Sequence, residues 1–214
     1  MKRVIHVVDY GIGNLLSVAR AIEKVGGEPR LTHDPAEIAA ADRVLLPGVG
    51  AFAACMRTLD EHDLSAPIVN YALSDRPFLG ICVGMQMLFD YGLEFGRHAG
   101  LGLVPGHVAP IPAADAAGTR KVPHIGWSAF RIPVGRDSWS ETLLDGLADG
   151  KSTAYFLHSY ACLPDNPCDR LADVDYNGFL ACAAIQRGNI FGFQCHPEKS
   201  ASIGLEIITR FIDL

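Results

Sequence analysis

The chain has 214 residues, of which 49% are hydrophobic and 20% charged, and its net charge is −6. This composition is typical of a globular protein and excludes the basic excess of a nucleic-acid binder. No apolar run approaches the roughly 20 residues of a membrane span, and the N-terminal segment does not resemble a signal peptide. We therefore expect one domain over residues 1–214, located in the cytoplasm.

Short apolar strands alternate with helical patterns in the first half of the chain. The predicted strands cover 3–9, 28–32, 43–46 and 77–81. Predicted helices cover 14–25, the segment after Asp34, two stretches up to Ser74, and a segment from Cys82 to about Tyr91. Asp34 as N-cap, with Pro35 next, predicts the start of the second helix. Strands separated by helices predict an α/β fold with a mostly parallel central sheet flanked by helices.

From about Leu101 the pattern changes to strands punctuated by Gly and Pro. The predicted strands here cover 121–132 and 154–162, with a loop over 113–119. Residues 180–186 and 190–194 are predicted to pair as a hairpin. An amphipathic helix over 202–212 ends the chain.

Cys82 lies between two glycines in the segment G-I-C-V-G, where a predicted strand meets a predicted helix. This is the pattern of a nucleophile elbow, a sharp turn in which glycines avoid collisions. A helix N-terminus lowers a thiol pKa, and the Val83 amide would face a developing oxyanion. The alternative is a tight turn around a buried cysteine. The chain has six cysteines and no C-x-x-C pair, so we expect no metal site.

The segment C-H-P-E places His196 and Glu198 two residues apart, after a predicted strand. In an extended segment both side chains would project to the same face. Glu198 could then orient the imidazole, leaving its other nitrogen to take a thiol proton. A single histidine is more often structural, but active sites collect at the carboxyl ends of parallel strands, where Cys82 is also expected.

The loop Pro47-Gly48-Val49-Gly50 ends the third predicted strand. Its glycines make a peptide reorientation inexpensive, and we expect the Val49 amide to become a second oxyanion donor. The alternative is an ordinary turn between a strand and a helix.

The elbow G-I-C-V-G-M-Q, the C-H-P-E segment and the P-G-V-G-A-F loop resemble the class I glutamine amidotransferases over essentially the whole chain. The resemblance implies the fold of that family, with no cofactor and with a catalytic triad of Cys82, His196 and Glu198. The residues that the resemblance implies for seating glutamine are Gly50, Gln86, Ser159 and Tyr160.

Four segments, D-Y-G-I-G-N-L, P-H-I-G-W, Y-F-L-H-S-Y and F-Q-C-H-P-E-K-S, resemble the glutaminase subunits of imidazole glycerol phosphate synthase. Ser128 and Cys195 depart from that pattern, where Asn and Phe are usual. The resemblance implies a heterodimer with a separate (β/α)₈-barrel cyclase, which uses the ammonia to make imidazole glycerol phosphate and aminoimidazole carboxamide ribotide in histidine biosynthesis. It also implies weak activity until that partner and its ligand bind. The implied interface residues are Asn14, Trp127, Tyr155 and Lys199.

Three alternatives remain at this stage. The chain could be the glutaminase subunit of another synthase, such as that of anthranilate or pyridoxal phosphate, although D-Y-G-I-G-N-L and P-H-I-G-W argue against this. It could be a thiol hydrolase or peptidase of related fold. It could also be a scaffold without catalysis, which the intact Cys–His–Glu set argues against.

Overall fold

The computed structural model describes residues 3–115 and 118–214. Met1, Lys2, Ala116 and Ala117 lie outside the described residues, and the predicted loop over 113–119 falls partly on them. The strands are β1 Val4–Val8, β2 Glu28–Thr32, β3 Val44–Gly48, β4 Phe78–Cys82, β5 Phe89–Gly92, β6 His98–Ala99, β7 Val104–Pro110, β8 Ala114–Asp115, β9 Gly118–Thr119, β10 His124–Arg131, β11 Thr153–His158, β12 Tyr160–Pro164, β13 Arg170–Tyr176, β14 Phe179–Arg187 and β15 Ile190–Phe193. The helices are α1 Leu15–Lys24, α2 Pro35–Ala40, α3 Phe52–Glu61, α4 Ser65–Ala72, α5 Val83–Gln86 and α6 Ala201–Asp213, with 3₁₀ turns at Pro167–Asp169 and Pro197–Lys199.

Five parallel strands, in the order β2-β1-β3-β4-β15, form one side of the main sheet. The sheet continues through β14, β12 and β7, where the pairing is antiparallel. This confirms the predicted α/β class with a mostly parallel central sheet. Because β3, β4 and β15 run side by side in the same direction, their carboxyl ends meet at one edge of the sheet.

Burial explains why the central strands are apolar throughout. All residues of β3, β4 and β15 are buried, as expected for parallel strands covered on both faces. Helix α1 packs its buried side against α6. Arg3 ties the start of the chain to this layer by donating to the Ile212 carbonyl at 2.6 Å. In the part of the chain that the structure describes, no helix is long and apolar enough to cross a membrane.

Two elements were predicted correctly from local chemistry. The Asp34 side chain accepts a hydrogen bond of 2.8 Å from the Ala36 amide and so caps α2. Strands β14 and β15 form the predicted hairpin, in which Arg187 pairs with Ile190. Gly188 has a φ of +57° in the turn between them.

Three predictions about where helices, strands and loops begin and end were wrong. The helix expected to reach Tyr91 ends at Gln86, since the next residues form β5 and pair with β7. The strand expected over 154–162 is interrupted at Ser159: β11 pairs with β10, whereas β12 pairs with β7 and β14. Within 113–119, where a loop was expected, Ala114–Asp115 and Gly118–Thr119 form the short antiparallel pair β8–β9.

Candidate active site

The turn at Cys82 has the strained geometry expected of a nucleophile elbow. Cys82 is the last residue of β4 and has a φ of +56°, a conformation that L side chains rarely adopt. A Cβ atom added at Gly84 would lie 2.0 Å from the Leu46 carbonyl oxygen, and one at Gly80 would lie 2.6 Å from the Gly84 oxygen. Only glycine therefore fits on both sides of this turn, as the sequence pattern predicted.

His196 is buried and lies between Glu198 and Cys82. Its Nδ1 is 2.9 Å from Glu198 Oε1, and because a carboxylate only accepts, Nδ1 carries the hydrogen and donates. The Cys82 side chain lies close enough to the ring to raise its pKa, and Nε2 is the nitrogen left to face it. The predicted contact is therefore present, but the extended segment expected around it is not. Residues Pro197–Lys199 form a 3₁₀ turn, closed by a bond of 2.9 Å from the Lys199 amide to the His196 carbonyl.

Two opposing effects act on the pKa of His196. Burial lowers it, whereas the interactions with Cys82 and Glu198 raise it, and the net result is a pKa raised from 6.5 to about 10. At neutral pH this ring therefore holds a second proton, which it could give to a leaving group.

A pair of glutamines extends the site behind Cys82. The sequence analysis identified Gln86 and missed Gln194. Gln194 is fully buried, and its Nε2 donates to Cys82 Sγ at 3.8 Å. Its Oε1 accepts a bond of 2.9 Å from Gln86 Nε2, which also lies 3.5 Å from the Tyr160 carbonyl oxygen. The spacing of Gln194 and His196, two residues apart after β15, was the available signal for Gln194.

Two buried histidines continue this hydrogen-bonded series on the far side of Tyr160. His158 Nδ1 donates to the Tyr160 carbonyl oxygen at 2.8 Å, so its Nε2 accepts from His124 Nδ1 at 3.0 Å. His124 Nε2 then accepts from the Ser128 hydroxyl at 2.9 Å. Burial lowers the pKa of both histidines to about 4, so both are neutral at pH 7. Ser128, a departure from the family pattern, is thus the donor at the end of this series.

A cavity of about 300 Å³ opens in front of Cys82. It brings together all the residues predicted for catalysis, oxyanion binding and glutamine seating except Glu198, which lies behind His196. Glu94 and Leu157 also line it and were missed by sequence reasoning. The residues lining the cavity are Val49, Gly50, Cys82, Val83, Gln86, Glu94, Pro123, Leu157, His158, Ser159, Tyr160, His196 and Lys199.

The predicted interface residues lie in three different places. Lys199 lines the cavity itself. Trp127 is half exposed on β10, and its ring meets that of Tyr155 edge to face, with centroids 6.1 Å apart. Asn14 is the N-cap residue of α1. Their contact with a partner stays a prediction.

Fold and site together define a class of protein: α/β enzymes that carry a cysteine on a nucleophile elbow and a His–Glu pair just after a neighbouring parallel strand. This arrangement suits chemistry in which a thiol attacks an amide or ester carbonyl.

Comparison with known proteins identifies the family. The family model "Glutamine amidotransferase class-I" matches residues 6–213. The chain is 44% identical to "Imidazole glycerol phosphate synthase subunit HisH 1" of Legionella pneumophila (strain Lens), over 98% of this chain and 99% of the relative. It is 45% identical to the HisH subunit of Salinibacter ruber, over 97% and 93% of the two chains. The structure of PurLQS from Thermotoga maritima shares the fold, with a TM-score of 0.72 at 19% identity over 99% and 98% of the chains. The chain belongs to the class I glutamine amidotransferase family, in the group of HisH subunits of imidazole glycerol phosphate synthase.

Proposed function

We propose that this chain hydrolyses glutamine through a thioester on Cys82 and supplies the ammonia to the cyclase subunit of imidazole glycerol phosphate synthase in histidine biosynthesis. One observation carries the chemistry: His196 donates to Glu198 on one side and has the Cys82 side chain as its other neighbour, and both Cys82 and His196 line a cavity large enough for an amino acid. The full-length similarity to HisH subunits supports the choice of pathway.

In the first half of the reaction, His196 takes the proton of the Cys82 thiol, and the resulting thiolate attacks the side-chain amide carbon of glutamine. The Val83 and Val49 amides stabilise the oxyanion. The C–N bond then breaks as His196 gives its proton to the departing nitrogen, which leaves as ammonia. Glu198 holds the ring in its tautomer and stabilises the charged form.

In the second half, His196 takes a proton from a water molecule that attacks the thioester carbon. The C–S bond breaks, glutamate forms, and the proton returns to the Cys82 sulfur.

The composition of the cavity supports an amino-acid substrate. Gly50, Gln86, Ser159 and Tyr160 are proposed to seat the glutamine, and all four line the cavity. Glu94 and Lys199 add a carboxylate and an ammonium group to the lining of the same cavity. A zwitterion with an ammonium and a carboxylate of its own is the kind of molecule that such a pair complements.

Delivery of the ammonia requires a shielded route, since ammonia released into water at pH 7 is mostly protonated and no longer nucleophilic. We propose a heterodimer with a (β/α)₈-barrel cyclase in the cytoplasm, docked over Asn14, Trp127, Tyr155 and Lys199. The name of the relatives, a synthase subunit, supports a separate partner chain. Activity is proposed to rise when partner and ligand bind, because the Val49 peptide must reorient.

Glutamate release tests the proposal. It should be measured for the unchanged chain and for Cys82→Ala. Each is assayed alone and together with the cyclase and its nucleotide ligand. We expect release to rise in the liganded complex and to vanish in Cys82→Ala, which still binds the cyclase. Cys162→Ala, which removes another buried free thiol, is the matched control and should remain active. Retained hydrolysis in Cys82→Ala would remove Cys82 from the mechanism, and co-purification with a different synthase would contradict the pathway.

A further inference from the structure

Two buried side chains hold the backbone on both sides of the peptide between Gly48 and Val49. The Tyr10 hydroxyl donates to the Pro47 carbonyl oxygen at 2.9 Å, before that peptide. The Cys55 thiol donates to the Val49 carbonyl oxygen at 3.3 Å, after it. Both side chains are fully buried.

Both groups remain protonated donors at neutral pH. Burial raises the pKa of the Tyr10 phenol and of the Cys55 thiol above their ordinary values. The two side chains lie close enough to influence the pKa of one another, so they form one local unit beside the loop. The Cys82 sulfur is close enough to influence the pKa of both, which places this unit next to the elbow.

The geometry restricts how the Val49 amide can turn toward the cavity. Rotation of one peptide requires changes in only two torsions, ψ of Gly48 and φ of Val49. With the carbonyls of Pro47 and Val49 both held, the Gly48–Val49 peptide is the one in this segment that can rotate without breaking either bond. The loop can therefore change its conformation by one defined rotation, that of the Gly48–Val49 peptide.

Tyr10 also connects this movement to another part of the molecule. It follows β1 in the segment D-Y-G-I-G-N-L, which leads into α1. A Cβ atom at Gly13 would lie 3.3 Å from Pro47 Cγ, so this segment packs directly on the start of the oxyanion loop. Displacement of the loop over residues 10–14 would therefore be transmitted to Pro47.

We propose that Tyr10 and Cys55 are positioning residues, which fix the Pro47 and Val49 carbonyls so that the intervening peptide presents the Val49 amide to the oxyanion in one defined orientation. The inference rests on the proposed function. Neither side chain contacts the substrate; both act through the backbone.

Tyr10→Phe, which removes only the hydroxyl, tests the proposal. In the complex with the cyclase and its ligand, we expect kcat for glutamine hydrolysis to fall about fivefold, with KM within twofold of the unchanged complex. The matched control is Tyr71→Phe, because Tyr71 is equally buried in α4 and its hydroxyl donates to a proline carbonyl, that of Pro77, at 3.2 Å. We expect its kcat to be retained. Equal kcat values in the two variants would overturn the proposal.

Cys55 provides an independent test in which the donor can be restored. Cys55→Ala should lower kcat to a similar extent, and Cys55→Ser, which keeps a donor, should recover most of it. A serine variant as slow as the alanine variant would overturn the role of the donor. Absence of glutamate release from the unchanged complex would count against the proposed function itself, whereas an active complex with an unaffected Tyr10→Phe variant would count only against this inference.

Discussion

His196 and His158 are both buried, yet their environments shift their pKa values in opposite directions. Burial lowers the pKa of His158 to about 4, because its partners are a carbonyl and a neutral imidazole. At His196, burial also lowers the pKa, but the interactions with Cys82 and Glu198 outweigh it and raise the value to about 10. The identity of the hydrogen-bond partners thus decides which histidine holds a second proton at pH 7.

Glu198→Gln should shift the pH dependence of the reaction. The raised pKa keeps His196 protonated up to alkaline pH, and the neutral amide no longer supports that charge. The pKa of His196 then falls, so the alkaline limb of kcat/KM moves to lower pH. Because the ring is also less well oriented, kcat should fall about a hundredfold. Both are measured as pH–rate profiles of glutamate release by the cyclase complex.

Glu206→Gln is the matched control for that experiment. Glu206 lies on α6, where its partly exposed carboxylate pairs with Arg210. This variant should keep the alkaline limb and kcat of the unchanged complex. An alkaline limb that stays in place in Glu198→Gln would contradict the role assigned to the carboxylate.

At the scale of single residues, the sequence was sufficient to predict the roles of side chains whose partners lie close along the chain. The glycines beside Cys82 and the two-residue spacing of His196 and Glu198 were sufficient to propose three roles. The series from Ser128 through His124 to His158 was not visible, because it depends on the register of β10 with β11, in which His124 pairs with His158. Those histidines are 34 residues apart, and no local pattern indicates that they meet.

Helices and strands show the same difference between features that depend on neighbouring residues and features that depend on distant ones. Helix α2 begins where the Asp34 cap predicts, and the β14–β15 hairpin turns at Gly188, because both features depend on chemistry within a few residues. Helix α5 ends after four residues because the following segment pairs with β7, a partner that the local sequence does not specify. Ser159 likewise separates two strands whose partners differ.

Gly84→Ala should disrupt the contact between β3 and the elbow. The added Cβ would lie 2.0 Å from the Leu46 carbonyl oxygen, and because the Cβ is fixed rigidly to the backbone and the oxygen is part of it, neither can move away cheaply. We expect the free energy of unfolding to fall by about 3 kcal/mol, with loss of glutamine hydrolysis, as measured by urea denaturation and glutamate release.

Gly188→Ala is the control that separates the effect of a steric collision on stability from the effect of backbone strain. Gly188 has a φ of +57°, but a Cβ there would meet nothing within 4 Å. This variant should lose only about 1 kcal/mol and remain active. Equal losses of stability in the two glycine variants would contradict the explanation by collision.

On the scale of the whole molecule, one apolar face lies next to the cavity. In the pairing of β10 with β11, Ile125 is opposite Leu157 and Trp127 is opposite Tyr155. Because alternate residues of a strand share a face, these four side chains project to the same side of the sheet. Ile125, Trp127 and Leu157 are 56%, 53% and 40% exposed, and Leu157 also lines the cavity. This face supports the proposed docking of a partner over the mouth of the cavity. A single domain over residues 1–214 stays a prediction.

Trp127→Ala should weaken that docking without altering the site. A half-exposed tryptophan at the centre of an apolar face is the kind of side chain that dominates an interface, and its removal should raise the Kd for the cyclase about tenfold or more. Labelling of Cys82 in the isolated chain by an electrophilic glutamine analogue should be unchanged, because Trp127 does not line the cavity. Val134→Ala, at a 95% exposed position in the loop after β10, is the control and should leave the Kd unchanged. The Kd is measured by titration calorimetry, and equal Kd values for the two variants would contradict docking over this face.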